Sequence, residues 1–153
     1  MNNIFKTILC LTVIIVITIF VLSPTLFQKG MASGADTGSY LSTAKFIADS
    51  LRSNLKLPQI NPYWYAGFEV THNAPPLIYS ILVPLCLIFK NIFLVSRVFH
   101  LITILIISFS MFFVIRKTYP ILNSFVGSIL FSFTPIILFQ TLGDGSYPRG
   151  FAI

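Results

Sequence analysis

Charge is what this sequence has least of. Of its 153 residues, 9% are charged and 56% hydrophobic, whereas soluble globular domains carry about 25% charged residues. So small a polar surface excludes a water-soluble globular fold and points to the bilayer as solvent. Acids are the scarcest: Asp36, Asp49, Glu69 and Asp144 are all of them. The net charge is +6, but the cations are scattered through loops. They form no run able to track a phosphate backbone, which excludes nucleic acid as a partner. Cysteine is nearly absent. Cys10 and Cys86 stand alone in apolar stretches, which argues against a disulfide or a thiol metal site, since metal ligands come in clusters. A phosphate-cradling P-loop and a dinucleotide glycine motif are also missing.

What is present is long apolar runs. Residues 7–27 carry no charge, follow Lys6 and are rich in Ile, Val and Leu. That length spans a hydrocarbon core of about 30 Å at roughly 1.5 Å per residue. Met31-Ala32-Ser33-Gly34-Ala35 offers the small residues of a signal-peptide cleavage site, but the apolar run exceeds the roughly 7–15 residues of a signal core. An uncleaved helix is the better reading. The second span is 96–115, uncharged from Val98 until Arg116-Lys117. The third is 119–142, with Pro120 suited to a first helical turn and Pro135 expected to kink it. Residues 75–90 are apolar but short and interrupted by Pro84, which suits a re-entrant or interfacial helix better than a crossing.

Arg116-Lys117 lie in a very short loop, where the positive-inside bias is strongest. With a cytoplasmic N-terminus in the cell membrane, the pattern predicts an all-α polytopic protein with three transmembrane helices. Four crossings is the rival, with Arg116-Lys117 outside. In the three-crossing arrangement 28–74 is a long outer loop, and 143–153 emerges on the same side.

The loop 28–74 differs from the rest of the chain. It holds three of the acids and the single Trp. Residues 37–54 read as an amphipathic helix: Tyr40, Leu41, Ala44, Ile47, Ala48 and Leu51 share one face, and Lys45, Asp49 and Arg52 the other. Such a helix either rests on the membrane surface or packs on the rest of the protein. Asp49 reads as a solvated charge pairing with Lys45 or Arg52. Further on, Pro58 and Pro62 impose extended or turn geometry. Tyr63, Trp64 and Tyr65 then form either an aromatic belt at the headgroups or a platform for a sugar. His100 is either an interface anchor or a polar contact inside the bundle.

The order Gly34-Ala35-Asp36-Thr37-Gly38-Ser39-Tyr40-Leu41, Ala44-Lys45-Phe46-Ile47-Ala48, Leu57-Pro58, Asn61-Pro62-Tyr63-Trp64-Tyr65-Ala66-Gly67 and Pro75-Pro76-Leu77-Ile78-Tyr79 resembles a known family. It is that of the 6-pyruvoyl-tetrahydropterin-synthase-related integral membrane proteins of bacteria and archaea. These in turn resemble the GT-C class of polytopic glycosyltransferases. The likeness covers about residues 30 to 80 and the remainder by layout. One departure is Tyr40, where relatives often carry His. Soluble pterin synthases bind zinc through clustered histidines; here there are only His72 and His100, so pterin chemistry is not implied.

The resemblance implies two acidic sites on the outer face, which Asp36 and Asp144 fit, and a polyprenyl-phosphate-linked sugar as donor. Asp36 would be a general base or a ligand for Mg²⁺ or Mn²⁺, and Asp144 a second ligand or acceptor-positioning group. Arg149 would contact the phosphate, with Arg97 as a weaker choice, and Trp64 and Tyr65 would face the substrate. The plain alternatives are a helix cap for Asp36 and a turn role for Asp144 in Gly143-Asp144-Gly145. GT-C enzymes have many more crossings, so the chain reads as the N-terminal part of a longer protein, inactive alone. A non-catalytic component of envelope or glycan assembly or export on the same scaffold is the second reading. A transporter is disfavoured, because the spans lack acidic groups.

Overall fold

A computed structural model describes residues 3–28, 34, 36–62, 67–70 and 76–143. The described residues are mostly helical (82%). Helix α1 spans Asn3–Phe27 and α2 Thr37–Asn54. A two-residue antiparallel pair, β1 (Ile60–Asn61) with β2 (Phe68–Glu69), follows, with Ile60 opposite Glu69. Helix α3 is Pro76–Ile88, α4 Ile92–Arg116, α5 Ile121–Ser132 and α6 Pro135–Leu138, which continues as a π-helical turn, Phe139–Gly143.

Among the described residues, two helices, α1 and α4, are long and apolar enough to cross a membrane. A third span exists if α5 and the segment Pro135–Gly143 count as one bent element. The bend is 49°, and it falls at Phe133–Thr134, just before Pro135, whose ring cannot donate to the ladder of the preceding turn. At 13 residues, α3 is about 20 Å long, short of a hydrocarbon core.

Helices α4 and α5 form an antiparallel hairpin closed by small residues. Ser124, Ser128 and Ser132, one turn apart, are all fully buried. The Ser108 hydroxyl donates to Ser132 Oγ at 2.8 Å, and the Ser132 hydroxyl donates to the Ser128 carbonyl at 2.7 Å. A methyl group at Gly127 would come within 2.7 Å of Cδ1 of Ile115. Close backbone approach through such residues is how helices associate in lipid, where no hydrophobic force separates them from the tails. Past the bend the buried positions shift by one residue: Ile137 packs in one cluster with Ile104 and Thr141 is buried, while Ile136 is exposed. Overfilling this seam is expected to disrupt it. Ser132→Leu should lower unfolding stability in mixed micelles by about 1–3 kcal/mol, whereas Ser132→Ala should lower it by only about 0.6 kcal/mol. Equal effects would show that the seam is loosely packed.

Helix α1 lies against this hairpin through one stripe, Ile14, Thr18 and Leu22. Leu22 packs with Ile104, Ile107 and Ile137. Arg97 Nη1, near the start of α4, donates to the carbonyl of Leu26, near the end of α1, at 3.3 Å. The two long helices are therefore antiparallel, and the chain leaves α1 at the end where it enters α4.

A second layer covers that region. Leu41, Ala44, Ile47 and Ala48 of α2 are buried with Ile78, Leu82, Val83 and Cys86 of α3 and with Val95 and Phe99 of α4; Ile92 packs at the edge. Of the two placements the amphipathic pattern allowed for α2, its apolar face takes the protein one. Val70, just past β2, joins the same core, and the Val70 amide donates to the Gln59 carbonyl at 2.9 Å. The hairpin is the small exception to the all-helical expectation. It follows from the extended backbone that Pro58 and Pro62 impose.

Candidate functional site

Asp36 stands at the N-terminus of α2 and is exposed. Capping by its carboxylate is the role the structure does not support: no side-chain cap hydrogen bond forms, and φ −94°, ψ −9° is helical rather than extended. The Asp36 carbonyl does the work instead, accepting from the Ser39 amide at 3.1 Å, the Tyr40 amide at 3.3 Å and the Ser39 hydroxyl at 2.7 Å. Its carboxylate thus points to solvent uncommitted by the cap. Asp144, Arg149, Trp64 and Tyr65, and also His72, lie outside the described residues.

The end of the bundle where α1 stops and α4 starts collects polar groups. Arg97 is half-buried there. Its bond to the Leu26 carbonyl satisfies one of the acceptors that a helix C-terminus leaves open. His100 is 2% exposed, and its Nδ1 lies 2.7 Å from the Ser96 carbonyl. The ring also meets the backbone of Thr141 in the π-helical turn. His100 is thus a polar contact inside the bundle, not an interface anchor. It ties the start of α4 to the last described turn of the chain. π-helical turns are rare and concentrate at functional sites. Ser96 Oγ is buried without a hydrogen-bond partner among the described residues.

Two residues of the resemblance motif meet between the helices of the second layer. The rings of Tyr40 and Tyr79 are 6.4 Å apart and tilted by 51°. Burial pushes the Tyr79 phenol up to about 12; a hydrogen bond with the Thr43 side chain opposes the shift and Tyr40 adds to it. Tyr79 is therefore a neutral hydrogen-bonding group at physiological pH.

Arg52 has a larger role than a solvated pairing charge. Its Nη1 is 3.3 Å from Asp49, but its Nη2 donates to the carbonyls of Cys86 at 2.8 Å and Leu87 at 2.9 Å. These carbonyls belong to the last turn of α3, where a cation meets both open acceptors and the negative end of the helix dipole. The link holds the C-terminal ends of α2 and α3 together. By contrast the Lys45–Asp49 pair at 2.7 Å is half-exposed and contributes only about 0.3–0.5 kcal/mol. Arg52→Met should destabilise the α2–α3 pair by about 1.5–3 kcal/mol, read as faster amide exchange in α3's last turn. Unchanged exchange would show that solvent replaces the guanidinium freely.

Among the described residues, no three His, Cys, Asp or Glu side chains group as metal ligands. No family model, no curated protein and no solved structure matches this chain.

Proposed function

We propose that the chain is the N-terminal portion of a GT-C-type membrane glycosyltransferase that takes its sugar from a polyprenyl phosphate. Its N-terminus is cytoplasmic in the cell membrane, and it crosses three times, through α1, α4 and the bent pair α5–α6. One observation carries this reading. The contacts Arg97–Leu26 and His100–Thr141 gather the end of α1, the start of α4 and the end of the π-helical turn at one end of the bundle. The end of α1, which leads to Asp36, and Gly143, which precedes Asp144 in sequence, therefore both lie at the end opposite Arg116. Nineteen positions of helix separate Arg97 from Arg116, about 28 Å, close to a hydrocarbon thickness.

The chemistry assigned to these residues is simple. Asp36 takes the proton of the acceptor hydroxyl. Asp144 positions the acceptor. The leaving polyprenyl phosphate is stabilised by an arginine fork. Arg149 suits that task better than Arg97, which is engaged with α1. Trp64 and Tyr65 supply apolar ring faces for the sugar. Mg²⁺ or Mn²⁺ held by Asp36 and Asp144 would supply further charge neutralisation. The described residues provide only Asp36 of that pair, so no step is routed through a metal. The bilayer, the lipid-linked sugar and the C-terminal remainder of the protein are the partners.

The test is direct. The full-length protein in nanodiscs should release polyprenyl phosphate from a polyprenyl-phosphate sugar when an acceptor is added. Retention of the lipid-linked sugar without release would favour the non-catalytic assembly or export role.

A further inference from the structure

Where α2 and α3 end together, apolar and basic side chains stand side by side in the open. Arg52 fixes this end through the carbonyls of Cys86 and Leu87. Directly after α2, Leu55 adopts the left-handed conformation, φ 54°, a position that glycine or asparagine usually fills. The turn leaves Leu55 88% exposed, Leu57 66% and Ile60 59%, with Ile88 70% exposed at the end of α3. Lys56 and Lys90 are exposed here too, and among the described residues neither has an ion-pair partner. The acids nearby are Asp49, already held by Lys45 and Arg52, and Glu69, opposite Ile60 in the small hairpin. Ser50, Asn54, Lys56, Leu57 and Pro58 line an open groove of about 440 Å³.

Leucines so exposed beside lysines match a surface with acyl chains below and phosphates above. The position agrees. Helix α4 begins at Ile92, four residues beyond Ile88, and is one of the two helices able to span a membrane. The paired ends of α2 and α3 therefore lie at headgroup level. We propose that the turn 55–58 is an interfacial anchor whose groove takes the phosphate of an anionic membrane lipid. Leu55 and Leu57 enter the acyl boundary, and Lys56, which lines the groove, faces the phosphate with Ser50 and Asn54 as hydrogen-bonding groups; Lys90, exposed just past the end of α3, adds positive charge at the same level. This site is independent of any sugar transfer.

Native mass spectrometry of the protein extracted from phosphatidylglycerol nanodiscs tests it. Wild type should retain phosphatidylglycerol in preference to phosphatidylcholine. Lys56→Gln and Lys90→Gln should each weaken that retention about fivefold. Inorganic phosphate at millimolar concentration should not displace the lipid. A spin label on Leu57→Cys, in a Cys10→Ala, Cys86→Ala background, should be reached by oxygen and sheltered from a water-soluble nickel complex. A label on Ser53→Cys should show the reverse. Lipid retention is read with the native cysteines in place, so a misfolded labelling background leaves that arm standing. Unchanged retention in both lysine variants, displacement by free phosphate, or equal nickel access at 53 and 57 would each overturn the proposal.

Discussion

Asp36→Ala in the full-length protein is expected to lower turnover of a lipid-linked sugar by about 10²–10⁴-fold, the usual contribution of a positioned general base. The same change should leave stability within about 0.5 kcal/mol of wild type, as for a surface substitution away from structural contacts. The separation of the two effects follows from geometry. The Asp36 side chain makes no cap hydrogen bond; the bonds to Ser39 and Tyr40 come from its carbonyl, which alanine keeps. Had the carboxylate capped α2, its loss would destabilise by about 0.5–2 kcal/mol. Turnover measured beside thermal unfolding of the same sample distinguishes the cases. Full turnover in the variant removes Asp36 from the reaction, and a stability loss above 1 kcal/mol returns it to a structural role.

Phe99→Ala is expected to have the largest effect on the fold, about 3–5 kcal/mol. Phe99 is fully buried where α4 meets both α2 and α3, so its removal opens a cavity where the two layers join. Phe99→Leu, which keeps most of the volume, should lose less than about 1.5 kcal/mol. Unfolding in mixed micelles measures both. Amide exchange should rise in α2 and α3 and stay unchanged along the α4–α5 seam. A uniform rise would mean that the layers unfold as one unit.

How much of this was legible beforehand depends on the kind of contact. The spacing of Leu41, Ala44, Ile47 and Ala48 marks a buried face because helical periodicity is a local property. It does not say what covers the face, and here that is α3. The long apolar runs reveal α1 and α4 by length alone. The four-residue repeat of Ser124, Ser128 and Ser132 is the small-residue signature of close helix packing, which hydropathy along the span does not register. Arg52 was legible only as a helix-face charge. Its acceptors on Cys86 and Leu87 lie 34 and 35 residues away, and no local pattern encodes such a partner. In the candidate site, only the resemblance, which implies an acidic residue in the first outer loop, sets Asp36 apart from a plain helix cap, and the choice between carboxylate and carbonyl at the cap is a matter of backbone angles. Asp144, Arg149, Trp64 and Tyr65 fall outside the described residues, so their assignment rests on sequence.

The shared sidedness of the two acidic segments is best tested by impermeant thiol labelling of intact cells carrying Asp36→Cys, Asp144→Cys or Lys117→Cys in a Cys10→Ala, Cys86→Ala background. The antiparallel contact of Arg97 with Leu26 and the meeting of His100 with Thr141 predict that positions 36 and 144 label from outside, and 117 only after permeabilisation. Labelling of 117 from outside while 144 stays protected would contradict the account.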